Sequence, residues 1–263
     1  MTEFQLHIRV FGFRIPSGET LIVDDDFVFQ AIGSDDNPTV FALFRVSEDT
    51  DTEYRNCLLR LEKFADCYTF ASGSAVRIDS GYGRSPIKDG VTLRLGFHGE
   101  LSIQELVKPE KARKQFDDAV GLARLSLPKY LQIALTFYSR SRYEQVMDEV
   151  LIDLITALES MFLVENLELH YRLSLRVAYF LYPHDERQRK ETFDLVYDMY
   201  KLRSKIVHGQ SMSFSEEESA QLDELCGVVR KAISRLILMR SIAQKKNVLI
   251  SMIDSIMMCS SPM

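Results

Sequence analysis

The sequence has few of the features that mark disulfide-bonded, metal-stabilised or membrane-spanning proteins. It contains four cysteines in 263 residues, with no Cys-x2-Cys pair and no histidine at the spacing typical of zinc sites. We therefore expect reduced, mostly buried thiols, and neither a structural metal nor a cofactor. The first residues lack the basic and apolar segments of a signal peptide, and no apolar stretch approaches the roughly 18 residues that span a bilayer. These absences predict a cytoplasmic protein with no membrane segment.

The chain also lacks the positive charge of proteins that coat nucleic acids. Its formal net charge is −6, which argues against binding through bulk electrostatics. Residues 1–125 contain 15 Lys and Arg against 20 Asp and Glu, whereas residues 126–263 contain 17 against 18. The second half is therefore nearly neutral, and a local basic groove is possible there. The alternative, which the charge count favours, is a solvated helix face with acidic partners four residues away.

No internal repeat or low-complexity tract is present, but the pattern of apolar residues changes along the chain. The first part is rich in Val, Ile, Phe and Thr between turn residues, which predicts an antiparallel sheet. The Asp-Asp-Asp run at residues 24–26 is typical of a solvated turn. We predict strands at residues 4–13, 19–23, 27–32, 39–46, 74–79 and 90–97, a flexible loop at 80–86, and helices at 51–71 and 102–125.

The second part has helical spacing throughout, with short polar connections that favour an up-and-down bundle. Ser215 and Glu218 form a capping-box sequence at the start of one helix. Helices are predicted near residues 129–139, 142–168, 169–182, 188–208, 216–243 and 247–259. The sequence thus predicts an α+β protein with two domains, a β-rich N-terminal domain of mixed sheet and helices at residues 1–125 and an all-α bundle at 126–263.

The C-terminal helices contain more apolar residues than one small bundle needs. Dimer packing would use the excess, and so would ordinary core filling or contact with the N-terminal domain. The apolar pattern by itself leaves these alternatives open.

Residues 197–209 combine an apolar helical face with an arginine, a histidine and a final glycine. Gly209 is predicted to end the helix, because glycine readily takes positive φ. That places His208 in the last turn, where the carbonyl end of the helix dipole favours the charged imidazolium. Arg203 lies five positions earlier, about 140° around an ideal helix. The two side chains can meet at one ligand only through the length of the arginine, a distorted last turn, or a second copy of the helix.

The stretch from Tyr200 to Gly209, with its Arg-x4-His spacing, resembles the signature of the HEPN superfamily, and in particular the branch called Apea-like HEPN. Residues 155–162 (Ile-Thr-Ala-Leu-Glu-Ser-Met-Phe) and 173–178 (Leu-x-x-Arg-Val-Ala) extend the resemblance to roughly the C-terminal half. It implies a helical bundle that pairs with a second copy through this region. It also implies a metal-independent ribonuclease, since many members have that activity, some as toxins or in antiviral defence.

The resemblance implies that Arg203 and His208 of two protomers form the catalytic site. Cleavage by 2′-OH attack needs a proton acceptor, a proton donor and a cation on the phosphate, and it leaves a 2′,3′-cyclic phosphate and a 5′-OH. Glu159 is a third catalytic candidate, because it can orient Arg203. The alternative for Glu159 is a partly buried acid paired with any nearby arginine.

Three further residues are candidates for binding RNA. Tyr200, one turn before Arg203, would stack on a base, and Lys205 would contact a phosphate. Arg176 belongs to the group of basic residues that leads into the motif. We expect all three to line one groove.

Two functions are consistent with the sequence. The first is a metal-independent endoribonuclease whose N-terminal domain senses a trigger, binds a protein partner or selects RNA. The second is a non-catalytic HEPN module that uses the same bundle for dimerisation and for RNA or protein binding, since matching residues do not by themselves establish turnover.

Overall fold

The chain divides into two compact units, Met1–Leu125 and Ser126–Met263. The computed structural model describes residues 4–11, 15, 19–32, 39–47, 50–73, 76–86, 109–164, 168–209 and 214–260. The first unit contains a sheet and two helices, and the second contains helices in all of its described elements. The predicted α+β class is confirmed.

The sheet of the first unit has five strands in the order β2-β3-β4-β1-β5, and every neighbouring pair is antiparallel. Alternate residues of β2 and β3 are buried, as in a sheet with one covered face. The predicted antiparallel sheet is confirmed. Its strands are β1 (Phe4–Phe11), β2 (Thr20–Asp24), β3 (Phe27–Ile32), β4 (Thr39–Val46) and β5 (Arg77–Pro86).

Asp24 ends β2, and Asp25 and Asp26 form the predicted turn to β3. Asp24 accepts a hydrogen bond from the backbone N–H of Asp26 at 3.1 Å. Its two carboxylate oxygens each lie 2.7 Å from one terminal nitrogen of Arg60. These contacts hold the pKa of Asp24 below its usual range despite its partial burial.

The predicted flexible loop at residues 80–86 is wrong, because these residues belong to β5 and pair with β1. Leu6 lies opposite Arg84 and His7 opposite Gly83, and the register shifts between Ile8 and Val10. Glycine favours loops in isolation, but pairing with a long neighbouring strand overrides that preference, and the register shift takes up the extra residues. The strand predicted at 90–97 and the first part of the helix predicted at 102–125 lie outside the described residues.

Two helices, α1 (Asp51–Ser72) and α2 (Pro109–Ala123), pack against each other in the first unit. Phe64 of α1 lies 4.8 Å from the ring of Phe29 and 5.5 Å from that of Phe116 in α2. An aromatic core therefore joins both helices to one face of the sheet. The N–H of Glu53 donates to Thr50 at the start of α1, and Gly73, at φ 76°, ends that helix.

The second unit contains six helices in its described parts. In this unit α3 packs against α4 and α5 against α6, while α4 also contacts α6, α7 and α8. The capping box of Ser215 and Glu218 is confirmed, with reciprocal bonds of 2.8 and 3.1 Å. The helices are α3 (Lys129–Tyr143), α4 (Met147–Phe162), α5 (Leu169–Leu181), α6 (Glu186–Val207), α7 (Glu216–Leu238) and α8 (Lys246–Ser260).

All four cysteines are free. Cys57 and Cys67 are buried, and burial raises the pKa of their thiols to about 11 and about 12. Cys226 is partly exposed and Cys259 is exposed. Burial therefore keeps two of the four thiols protonated and unreactive at neutral pH.

None of the helices in the described ranges is both long enough and apolar enough to cross a bilayer.

Asp153 is a buried acid in α4. Its Oδ1 lies 3.0 Å from Nη2 of Arg140, whose side chain is about half exposed. Burial raises the pKa of Asp153 to about 6, although the charge of Arg140 opposes the rise. Since the carboxyl ordinarily titrates at 3.8, the folded chain binds this proton more tightly than the unfolded chain. The contribution of Asp153 to stability therefore falls as pH rises from about 4 to about 6, and it stays unfavourable above that range.

We expect Asp153→Asn to raise the free energy of unfolding at pH 8 by up to about 3 kcal/mol, because one pKa unit corresponds to about 1.36 kcal/mol. The amide has the same shape and carries no charge to desolvate. At pH 4 the variant and the parent protein should be similarly stable. Urea unfolding at both pH values measures the difference, with Asp198→Asn, at an exposed position of α6, as the control. An equal effect at both pH values would contradict the assignment.

Candidate functional site

Arg203 lies on α6 where this helix packs against α4. Its Nη2 is 3.6 Å from Oε2 of Glu159, and the two side chains are 23% and 22% exposed. A separation of 3.6 Å is an ion pair but exceeds a hydrogen-bond distance. The Nε atom of Arg203 is buried and has no hydrogen-bond partner in the described part of the chain. Because a guanidinium has five N–H donors, this one is held in place but incompletely satisfied.

Glu159 is held at the same time by Tyr200. The Tyr200 hydroxyl donates to Oε1 of Glu159 at 2.8 Å. Burial, together with this bond, raises the pKa of Tyr200 to about 12, so the phenol remains a donor at neutral pH. The Tyr200 ring also lies under the Arg203 guanidinium, with 5.7 Å between the guanidinium carbon and the ring centroid. The three side chains form one cluster, in which Glu159 links a buried tyrosine to a partly exposed arginine.

Glu159 reaches this cluster because of its place on α4. Ile155, Leu158 and Phe162 around it are fully buried, so α4 is anchored on both sides of the glutamate. The apolar neighbours fix the helix, and the carboxylate emerges at the edge of the buried face, facing α6. The structure thus brings Glu159 and Arg203 together, as an orienting role for Glu159 requires.

His208 occupies the C-cap of α6, one residue beyond the last helical residue. It has φ −85° and ψ 14°, and its backbone N–H donates to the Ser204 carbonyl at 3.1 Å. Its side chain is exposed. Gly209 follows with φ 83° and donates to the Ile206 carbonyl at 2.8 Å. The prediction that Gly209 ends the helix in the left-handed region is confirmed.

Arg203 and His208 have different surroundings within one chain. The arginine is drawn toward α4 by Glu159, whereas the histidine extends into solvent from the end of α6. The chain from Arg203 to Val207, the residue before His208, is helical. The offset of about 140° between positions 203 and 208 that helical geometry predicts therefore applies. A single chain therefore holds a positioned cation against α4 and an exposed histidine just beyond the end of α6.

Two of the three predicted RNA-binding residues are not available to RNA. Arg176 is 3% exposed, and its guanidinium donates to both carboxylate oxygens of Asp254 at 3.0 Å and to the Phe162 carbonyl at 3.1 Å. It joins α5 to α8 and to the end of α4. Tyr200 is 8% exposed, so its ring cannot stack on a base. Both residues are buried and bonded within this chain, which does not agree with their predicted place in an RNA-binding groove.

Lys205, the third predicted RNA-binding residue, is exposed. The capping bonds with Ser215 hold the pKa of Glu218 below its usual range, and the charge of Lys205 adds to this effect. Lys205 thus lies near the start of α7. It remains accessible to a phosphate.

Much of the predicted basic stretch on α6 is paired along the helix. Lys190 lies 2.6 Å from Asp194, and Arg187 lies 3.5 Å from Glu191. The alternative of a solvated face with acidic partners four residues away therefore describes this first part of α6. Lys201 differs, because it takes part in no ion pair among the described residues and lies 4.1 Å above the Tyr197 ring.

The sequence interpretation missed a group of aromatic side chains beside this site, here called the aromatic row: Tyr171, Phe193, Tyr197 and His170. Their ring centroids are 5.7 Å apart for Tyr171 and Phe193, 5.6 Å for Phe193 and Tyr197, and 5.0 Å for Tyr197 and His170. The available signal was the spacing of Phe193, Tyr197 and Lys201 at four-residue intervals. That spacing places them on one side of α6.

Within the described residues, no group of three His, Cys, Asp or Glu side chains is arranged to hold a metal ion. The site consists of an acid, a phenol and a guanidinium in contact, with an imidazole at the end of the same helix.

A comparison with known proteins finds no match: no family model fits the chain, and neither a curated protein nor a solved structure resembles it significantly.

Proposed function

We propose that the chain is a metal-independent endoribonuclease of the HEPN type, which cleaves RNA by 2′-OH attack at a site shared between two copies. The observation that carries the proposal is the guanidinium of Arg203, which is held by Glu159 and incompletely satisfied. Arg203 lies five residues before His208, which is exposed. A positioned and partly exposed cation suits a phosphate, whose charge rises in the transition state.

Each residue has a separate role in this proposal. Arg203 binds the scissile phosphate and stabilises its added charge. His208 moves a proton, either from the attacking 2′-OH or to the leaving 5′-oxygen. Glu159 and Tyr200 act as positioning residues, because they touch Arg203 rather than the phosphate. The catalytic set expected from the sequence, Arg203, His208 and Glu159, is thus divided into two reacting groups and one that orients.

The second copy supplies what one chain lacks. Within one chain Arg203 contacts Glu159 of α4 and His208 is exposed beyond the end of α6, and five residues of helix set the two positions about 140° apart. In a two-fold dimer the end of α6 faces its own copy, and the arginine of one protomer can share a phosphate with the histidine of its partner. Val207, 53% exposed between these residues, offers an apolar contact for such pairing.

The other unit and the setting of the activity complete the proposal. We place the protein in the cytoplasm, acting on RNA as a toxin or in antiviral defence. The unit formed by residues 1–125 would sense a trigger, bind a protein partner or select the RNA. These roles follow from the resemblance to HEPN proteins.

Incubating the purified chain with total RNA in excess EDTA tests the proposal. We expect cleavage to continue without divalent metal and to leave 2′,3′-cyclic phosphate and 5′-OH ends. The His208→Ala variant, prepared in parallel, is the control for a contaminating nuclease and should be inactive. Cleavage that stops in EDTA and returns with Mg²⁺, or that leaves 3′-OH and 5′-phosphate ends, would overturn the mechanism.

A non-catalytic RNA-binding module is the second candidate, and the aromatic row favours it, because stacking on exposed rings does not need a catalytic group. If the chain binds RNA but leaves it intact in both EDTA and Mg²⁺, this second function replaces the first.

A further inference from the structure

The aromatic row lies at the surface of the second unit, although aromatic side chains usually fill cores. Tyr171 is 49% exposed, and His170, Phe193 and Tyr197 are partly exposed. Tyr200, by contrast, is buried beneath the row and is 6.3 Å from the ring of His170. Single exposed rings need no explanation, but four rings in continuous contact at the surface indicate a binding site.

The row continues into the candidate catalytic cluster. Its last ring, His170, is next to Tyr200, which donates to Glu159 and lies under Arg203. An aromatic path therefore leads from the outer face of α5 and α6 to the arginine that we assign to the scissile phosphate.

Two cations follow the rings along α6 and wind gradually around the helix, as the backbone of a single strand can. Phe193, Tyr197, Lys201 and Lys205 follow one another at four-residue intervals along α6, so two aromatic residues are followed by two basic ones. At 1.5 Å per residue the four positions span about 18 Å and end three residues before His208. Within the described part of the chain no carboxylate pairs with Lys201, whereas Arg187 and Lys190 are neutralised on the same helix. The free positive charge thus lies beside the rings.

We propose that the aromatic row, with Lys201 and Lys205, binds single-stranded RNA and directs it to the site of the proposed ribonuclease. We call these six residues the track. Successive bases stack on the rings, and the backbone phosphates contact the two lysines. Stacked bases rise about 3.4 Å each, so the track holds several nucleotides. The track deepens the proposed function and rests on it for the identity of the ligand, since π faces and cations alone accept any single strand.

Fluorescence anisotropy with a labelled 12-nucleotide oligouridylate tests the track. The full-length His208→Ala protein in EDTA serves as the background, so that binding is measured without cleavage. We expect Tyr197→Leu to raise Kd about 5- to 150-fold, as for the loss of one stacking platform. Tyr197→Phe, which keeps the ring, should bind as the background does. Lys201→Ala should weaken binding and reduce the slope of log K against log salt by about 0.7.

Tyr143→Leu is the matched control, because Tyr143 is 38% exposed on α3 and lies outside the row. It should leave Kd within twofold. Circular dichroism of every variant guards against loss of the fold, and Lys201→Ala, at an exposed position, tests the track even if Tyr197→Leu fails to fold.

Unchanged affinity in both Tyr197→Leu and Lys201→Ala would overturn the track. So would a lower oligomeric mass of Tyr197→Leu at unchanged RNA affinity, because the row would then be a contact between copies. The proposed cleavage can fail separately. If the unsubstituted chain leaves RNA intact while the row variants lose binding, the result supports the track and contradicts the proposed ribonuclease activity. If the chain cleaves RNA and the row variants bind RNA as the background does, the result supports the ribonuclease activity and contradicts the track.

Discussion

Replacing Arg203 with alanine is expected to slow RNA cleavage about 10²- to 10³-fold, the loss seen when one preorganised donor to a developing oxyanion is removed. The fraction lost should be the same at every pH, because a guanidinium stays protonated throughout the usable range. Arg203→Lys should restore only part of the rate. A single ammonium cannot reproduce the planar fork that holds two phosphate oxygens, or the contact with the Tyr200 ring.

Single-turnover rates on one defined RNA between pH 5 and pH 9 measure this effect. Arg187→Ala is the matched control, since Arg187 is an exposed arginine of the same helix and pairs with Glu191 along its surface. It should cleave at the parent rate. A rate for Arg203→Ala within threefold of the parent protein, with the fold intact, would remove Arg203 from the catalytic set. Full activity in Arg203→Lys would reduce its role to that of a simple positive charge.

Mixing two inactive variants is expected to restore activity if the site is shared between copies. Arg203→Ala retains the histidine and His208→Ala retains the arginine, so a dimer with one of each contains one working pair. About half of randomly assorted dimers are mixed, and each has one of two equivalent pairs. The mixture should therefore recover about a quarter of the parent rate, even though each variant alone lies far below it.

Co-expression with two different affinity tags isolates the mixed dimer, and the same co-expression of Arg203→Ala with itself supplies the control. Light scattering across a concentration series measures the mass of the parent protein. Activity of the isolated mixed dimer no higher than that of either variant alone would exclude a shared site. A monomeric mass at high micromolar concentration would do the same.

The aromatic row changes how the site is understood. From the sequence, Tyr200 was the stacking residue because it lies one turn before Arg203, but its hydroxyl is bonded to Glu159 and its ring is buried. The exposed and partly exposed rings lie one and two helical turns earlier on α6 and on the neighbouring helix α5. Loss of Tyr200 should therefore disturb the position of Arg203, whereas loss of Tyr197 should weaken binding.

Local signals in the sequence predicted several features of the main elements. The alternating apolar residues of β2 and β3, the capping box of Ser215 and Glu218, and Gly209 at φ 83° each act within a few residues of chain. Such short-range effects depend on backbone sterics and nearby hydrogen bonds, so the sequence alone predicts them. The α+β class followed for the same reason.

Tertiary structure alone decided which side chains are exposed and which meet. Arg176 has its carboxylate partner 78 positions away, and Tyr200 has Glu159 41 positions away. Residues 80–86 form a strand because β1 lies beside them, and the aromatic row exists only where α5 packs on α6. The sequence predicted that Arg203 and His208 share one helix. Whether each is buried, paired or free depends on contacts between distant segments, because the cost of burying a charge is set by the partners that folding brings to it.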